Sequence, residues 1–171
     1  TLSSHPPPLL ASMGQNVRVS KVFRATAAAS FSVSFTVGLY GIAFGAAGIA
    51  AGFSLIQTCA LSLLTFSGAS QFAVVGVVGA GGSALSGIAT ASLLGIRNAL
   101  YGMRMAPLLN IKGWRRVVGA QVTIDESTGV ALGQSDLGER AMRQGFWLTG
   151  IGVYIFWNLF TLMGAIGAQA M

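Results

Sequence analysis

The chain has 171 residues, 53% of them apolar and only 8% charged, with 24 glycines and a mean hydropathy of +0.71. Soluble domains carry about 25% charged residues, so this composition excludes an ordinary soluble core and makes the length a count of membrane segments. The net charge of +6 does not indicate nucleic acid, because the bases flank apolar runs without aromatic interleaving, as at the ends of membrane spans. A single cysteine, Cys59, excludes an intramolecular disulfide and reads as packing.

Residues 1–17 contain Pro6-Pro7-Pro8, several serines and the only histidine, His5, and read as a disordered polar tail. Thr1 stands where an initiator methionine would, which suggests a fragment or a processed form. The remainder, 18–171, reads as one transmembrane domain. Arg18, Lys21 and Arg24 precede an apolar run longer than a signal-peptide core, so a retained span with a cytoplasmic N-terminus is expected.

The first span covers about 25–51. Gly38, Gly41, Gly45, Gly48 and Gly52 are spaced by three and four residues and share one helical stripe. Such a stripe lets another helix approach closely, the usual basis of helix packing in lipid. The second run, about 53–80, carries Thr58, Ser62 and Thr65, whose hydroxyls can bond back within their own helix. It also contains Phe66-Ser67-Gly68-Ala69-Ser70-Gln71-Phe72. An unpaired amide in hydrocarbon costs several kcal/mol, so Gln71 needs a partner or a cavity. A helix break at Gly68–Ser70 would free main-chain groups to face one.

The third run, about 84–110, has Arg97 at its midpoint. An arginine at a helix centre costs ~2.5–3.5 kcal/mol on insertion scales, so it is expected to face the bundle interior or a wet cavity. Ser83, Ser86, Thr90, Tyr101 and Arg104 extend a polar stripe through it; Arg104 lies near enough the end to snorkel. Residues 111–143 form the only substantial polar connection. Within it, 114–122 suits a short interfacial helix and Asp125-Glu126 suit a helix N-terminus. The last run, about 145–171, places Tyr154, Asn158 and Thr161 on one face, with Asn158 as an interhelical hydrogen-bonding residue.

The reading is therefore an all-α, polytopic helical membrane protein with about four apolar segments, one or two of them broken or re-entrant. Three full spans between the N-terminal bases and the basic 111–143 connection would put the two on opposite sides, against the charge bias. A re-entrant run, broken near Gly68 or near Gly95–Asn98, removes the conflict. So does an inverted second half beyond this chain.

Four stretches are specific enough to name a family: Gly38-Leu-Tyr-Gly-Ile-Ala-Phe-Gly45, Phe66-Ser-Gly-Ala-Ser-Gln-Phe72, Arg97-Asn-Ala-Leu-Tyr-Gly102 running on to Ala106-Pro107, and Thr123-Ile-Asp-Glu-Ser127. In order and spacing, over about 35–132, they resemble the AzlC family, the large subunit of bacterial branched-chain amino acid exporters. Where that family usually reads Asn-x-Arg-His, this chain has Gly95-Ile96-Arg97-Asn98, which weakens a proton relay at that position. The family also runs longer, as if this chain were truncated at its C-terminus.

The resemblance implies a multi-pass protein of the cytoplasmic membrane. It would be the large subunit of a two-component secondary exporter of valine, leucine and isoleucine, with methionine as a further candidate. A small AzlD-type subunit is the implied partner, and no cofactor, metal or enzymatic activity is implied. The chain itself has no GxxxxGK[ST] stretch for ATP. Arg97 is the candidate for the substrate carboxylate, assisted by main-chain N–H groups near Gly68 and Ser70; Gln71 is the candidate for the ammonium. Asn98 and Tyr101 complete the expected binding set, with Phe66, Phe72 and Tyr101 as apolar lining. Asp125 and Glu126 are candidates for a gate or a proton-binding step. The alternative is a passive channel or structural membrane subunit, which needs the glycine stripe but not a buried Arg97. A hydrolase using Ser67 or Ser70 lacks a base, since His5 lies in the tail.

Overall fold

The computed structural model describes the backbone of residues 8–171 and side chains from Arg18 onward. Of the expected tail, residues 1–7, His5 included, lie outside the described residues. From Pro8 the chain is already helical as the start of α1 (Pro8–Ala50), so the first helix extends well before the apolar run that announces it. It is followed by α2 (Leu55–Thr65), α3 (Gly68–Gly79), α4 (Ala84–Leu109), α5 (Arg115–Gln121), α6 (Asp125–Gly133), a short 3-10 turn (Ser135–Leu137) and α7 (Glu139–Gln169). The described residues contain no strand, and the fold is all-helical.

Two helices, Arg18–Ala50 of α1 and Glu139–Gln169 of α7, are long and apolar enough to cross a membrane. They lie parallel and pack along most of their length. A Cβ on Gly38 would meet Phe156, and one on Gly41 would meet Trp157 and Thr161. Gly45 faces Thr161 and Ala165, while Gly164 of α7 answers against Ile42. The seam is polar as well as small: Ser30 Oγ lies 3.0 Å from Thr149 Oγ1, and Ser34 Oγ donates to the Thr149 carbonyl at 3.2 Å. Thr26, Ser30, Ser34, Thr149 and Thr161 are all 2% exposed or less, whereas Phe31, Ile56, Leu64 and Leu93 are more than 60% exposed. Small hydroxyl residues inside and large apolar residues outside is the arrangement of helices that pack in lipid.

The glycine stripe thus divides. Gly38, Gly41 and Gly45 hold α7, and Gly48 faces Thr58 of α2. Gly52 is a correction to the expected packing stripe: it lies beyond the helix with φ +88° and has no neighbour where a Cβ would stand. There its task is conformational, since a left-handed residue lets α1 turn into α2. Ser54 then caps α2 reciprocally, accepting from Gln57 N at 3.2 Å while its own N donates to Gln57 Oε1 at 2.8 Å.

The apolar run 53–80 is not one helix but a fold-back. α2 stops at Thr65, Phe66 takes φ 7° and ψ 64°, Ser67 is extended, and α3 begins at Gly68. At its start α2 lies beside Gly48; at its end α3 places Gly79 against Ala51. Both outer ends therefore lie at the C-terminal end of α1, and the tip at Phe66–Ser67 reaches the middle of α7, where Phe66 meets Tyr154 with ring centroids 4.8 Å apart. The break lies just N-terminal to the expected Gly68–Ser70, which forms the first turn of α3. Around Gly95–Asn98, by contrast, α4 is continuous.

α4 then descends the bundle, packing first on α3 (Gly87 beside Val74) and ending with Met105 and Leu109 in a cluster with Val122 and Phe146. α5 falls within the expected interfacial stretch. The polar connection then climbs back until Asp125 opens α6, which runs alongside α7, with Val130 beside Gly145 and Gln134 bonded to Thr26. The structure accordingly contains two fold-backs from opposite ends of the α1/α7 pair, their tips meeting near its middle.

Candidate functional site

Gln71 shows how the first tip is held. It is fully buried, and its Nε2 donates to the carbonyls of Leu61 at 3.2 Å and Ser62 at 3.1 Å. The last carbonyls of a helix have no intrahelical partner, and here side chains supply one. Gln121 Nε2 donates to Leu63 O at 2.9 Å, and Tyr154 OH donates to the same oxygen at 3.2 Å. Gln71 thus closes the broken end of α2 and is absent from the cavity lining, although its Oε1 has no partner. Ser70 is likewise committed, donating to the Ala91 carbonyl at 2.9 Å and accepting from Ser67 Oγ at 3.2 Å, which ties α3 to α4.

What the tips enclose is a cavity of about 80 Å³. α3 brings Gly68 and Ala69, whose main-chain N–H groups, in the first turn, have no intrahelical acceptor. α4 brings Arg97 and Asn98, and α6 brings Asp125 and Glu126 in its own first turn. Val37 of α1 and Val153 and Trp157 of α7 supply the apolar wall, with Phe66 at the tip. The N-termini of α3 and α6 thus face one space from opposite directions.

Arg97 Nη1 lies 3.1 Å from Asp125 Oδ2, with the two side chains 42% and 40% exposed. The pair leaves polar valence unused at the same place: Arg97 Nε, Asp125 Oδ1 and Asn98 Oδ1 are buried without partners. Trp157 is 5% exposed and its Nε1 is also unpartnered. Buried polar atoms are nearly always satisfied, so several orphans around one cavity mark a place built for something that bonds there.

The chain matches the family model described as AzlC protein over residues 32–171. The chain belongs to the AzlC family. This is a family of transporters linked to branched-chain amino acid transport, not of enzymes, and the chain is accordingly a membrane transport protein. No curated protein and no solved structure matched it.

The structure gathers Gly68, Arg97, Asn98, Asp125 and Glu126 of the expected set at one cavity. Ser70, Gln71 and Tyr101 do not line it. Phe72 packs instead on Phe44 and Trp157, with centroids 5.6 and 6.3 Å away. The ion pair between Arg97 and Asp125, and the lining by Val37, Ile124, Val153 and Trp157, were not legible in the sequence. Only Trp157, an aromatic adjacent to the Tyr154–Asn158–Thr161 face, carried a usable signal. That face itself engages α2: Asn158 Oδ1 accepts from Ser62 Oγ at 2.7 Å, as an interhelical bond requires. Thr58, by contrast, bonds back to Ser54 O within its own turn.

Proposed function

We propose that this AzlC-family chain is the large subunit of a two-component secondary exporter of branched-chain amino acids, with a small AzlD-type membrane subunit as partner. Valine, leucine and isoleucine are the substrates of this reading, and methionine is a further candidate. The observation that carries it is the Arg97–Asp125 pair at a cavity lined by apolar groups. A zwitterion can insert into such a pair, its carboxylate on Arg97 and the first-turn N–H groups of α3, its ammonium on Asp125. Each protein charge then exchanges one partner for another, and neither is left bare in a low dielectric. Val37, Val153 and Trp157 suit an aliphatic side chain. At about 80 Å³ the cavity is small beside the roughly 300–1,000 Å³ of ordinary small-molecule sites, so admission of a leucine side chain requires the fold-back tips to part.

In this reading the protein spans the cytoplasmic membrane several times, and α2–α3 is a re-entrant hairpin. α1 crosses once and α4 crosses back, which puts Arg18, Lys21 and Arg24 on the same side as Lys112, Arg115 and Arg116. The charge bias then holds at both clusters. Irregular backbone at membrane depth is tolerated where it faces protein or a cavity, and Phe66 and Ser67 are 5% and 6% exposed. Leucine binding to the purified chain tests the proposal: wild type is expected to bind and Arg97→Ala to lose binding. Equal binding by the two would remove the site and favour a channel or structural subunit.

A further inference from the structure

Arg18 of α1 and Arg140 of α7 stand at the same height. Gln144 Nε2 donates to Phe23 O at 3.0 Å, which fixes the register of the two parallel helices at this end. Arg18 lies five residues before Phe23 and Arg140 four before Gln144, a mismatch of about 1.5 Å along the axis. Both arginines line one groove of about 600 Å³ between the start of α1, the 3-10 turn and the start of α7. Arg143 is taken by Glu139 at 3.0 Å. Neither Arg18 nor Arg140 has an ion-pair partner among the described residues, and 1–17 contain no acid. Asp136 is the one acid on the wall, so the groove keeps a single positive charge in excess. Val19, Phe23 and Leu137 line it as well and are exposed. Exposed apolar side chains beside bases mark a surface that meets lipid, and these lie at the ends of the two helices able to cross a membrane. Phe23 is about 7 Å further along α1 than Arg18, toward the apolar run. Along α1 the groove therefore passes from cationic to apolar, which is the polarity of a phospholipid from headgroup to acyl chain.

We propose that this groove binds one anionic phospholipid of the adjoining leaflet, its phosphate diester bridging Arg18 and Arg140 and its apolar part lying on Val19, Phe23 and Leu137. Basic pockets between membrane helices hold anionic headgroups in this way. One phosphodiester charge balances the groove's excess, and two guanidinium forks suit its oxygens. The volume lies within the roughly 300–1,000 Å³ of ordinary small-molecule sites, enough for a headgroup and the glycerol beneath it. A lipid held there ties the 3-10 turn, at the base of the second fold-back, to α1. The groove shares no residue with the Arg97 cavity. The proposal rests on the membrane reading above and is independent of the amino acid substrate.

Native mass spectrometry and melting curves of the full chain in mild detergent, with lipid added, test this. Phosphatidylglycerol is expected to be retained at one molecule per chain and to raise the unfolding temperature; phosphatidylcholine is expected to do neither. Arg18→Gln combined with Arg140→Gln should weaken retention about tenfold or more. Lys112→Gln combined with Arg115→Gln removes as much charge elsewhere and should change retention by less than about twofold, since distant exposed charges are screened. Asp136→Asn should tighten retention, a gain that misfolding cannot produce. Equal retention of the two lipids, or equal loss in the two double variants, would mean diffuse attraction and overturn the proposal. Glycerol phosphate that binds as tightly as phosphatidylglycerol would make the groove a free-phosphate site and overturn it as well. Weaker retention in Asp136→Asn would overturn the charge balance on which the choice of lipid rests.

Discussion

The Arg97 guanidinium on α4 and the Asp125 carboxylate at the start of α6 stand 3.1 Å apart, joining helices that the sequence separates by a basic connection. Arg97 is costly at a helix midpoint, and Asp125 is the group that offsets it. Because both side chains remain about 40% exposed, the pair itself contributes little stability, about 1 kcal/mol or less. Asp125→Asn is therefore expected to leave thermal unfolding nearly unchanged while weakening leucine binding by about tenfold or more, the equivalent of one lost charge-assisted bond. Arg97→Lys is expected not to restore it, since an ammonium lacks the planar fork. Calorimetric titration beside a melting curve checks both.

Gln71 should behave in the opposite way. Replacing it by leucine strips the buried Ser62 carbonyl of its side-chain donor, at about 1–3 kcal/mol for an unsatisfied group, and removes a second bond from the half-buried Leu61 carbonyl. The expected result for Gln71→Leu is a clear drop in unfolding temperature in detergent, with leucine affinity of the folded fraction unchanged. A loss of affinity at unchanged stability would return Gln71 to the substrate.

The glycines make a paired prediction. Gly41→Ala puts a methyl against Trp157 O and Thr161 in the α1/α7 seam and should destabilise by about 1–3 kcal/mol. Gly76→Ala, within α3 with open space where its Cβ would stand, should stabilise by about 0.5–1 kcal/mol. Melting curves of the two variants should move in opposite directions.

Topology can be read by single-cysteine labelling in a Cys59→Ser background. If α2–α3 folds back, Ala50→Cys and Ala80→Cys are labelled from one side of the membrane and Lys112→Cys from the other. A straight span over 53–80 would instead pair position 50 with 112 and set 80 apart.

Much of this was legible in the sequence because lipid punishes exceptions. Arg97 and Gln71 stand out against apolar neighbours, and each turns out to have specific partners, Asp125 for Arg97 Nη1 and the Leu61 and Ser62 carbonyls for Gln71 Nε2. The glycine stripe announced close packing because only a missing side chain allows it, and Gly38, Gly41 and Gly45 meet α7 as the spacing requires. The role of Gln71 was less legible: an amide can serve a ligand or an orphan carbonyl equally well, and only the position of the chain break decides. Nor does composition show that a polar connection climbs back into the bundle. Asp125 and Glu126 look like any acidic first turn until the tip carrying them is placed beside Arg97. Gly52 repeats the stripe's spacing but falls one turn past its use, in a bend whose positive φ leaves no mark on periodicity.

Amino acid efflux from cells loaded with a leucine-containing dipeptide tests the central claim most directly. With the chain and its small partner present, leucine is expected to leave against its gradient, and Arg97→Ala is expected to stop it. Efflux that is the same with and without the two subunits, or that proceeds only down the leucine gradient, would contradict the account.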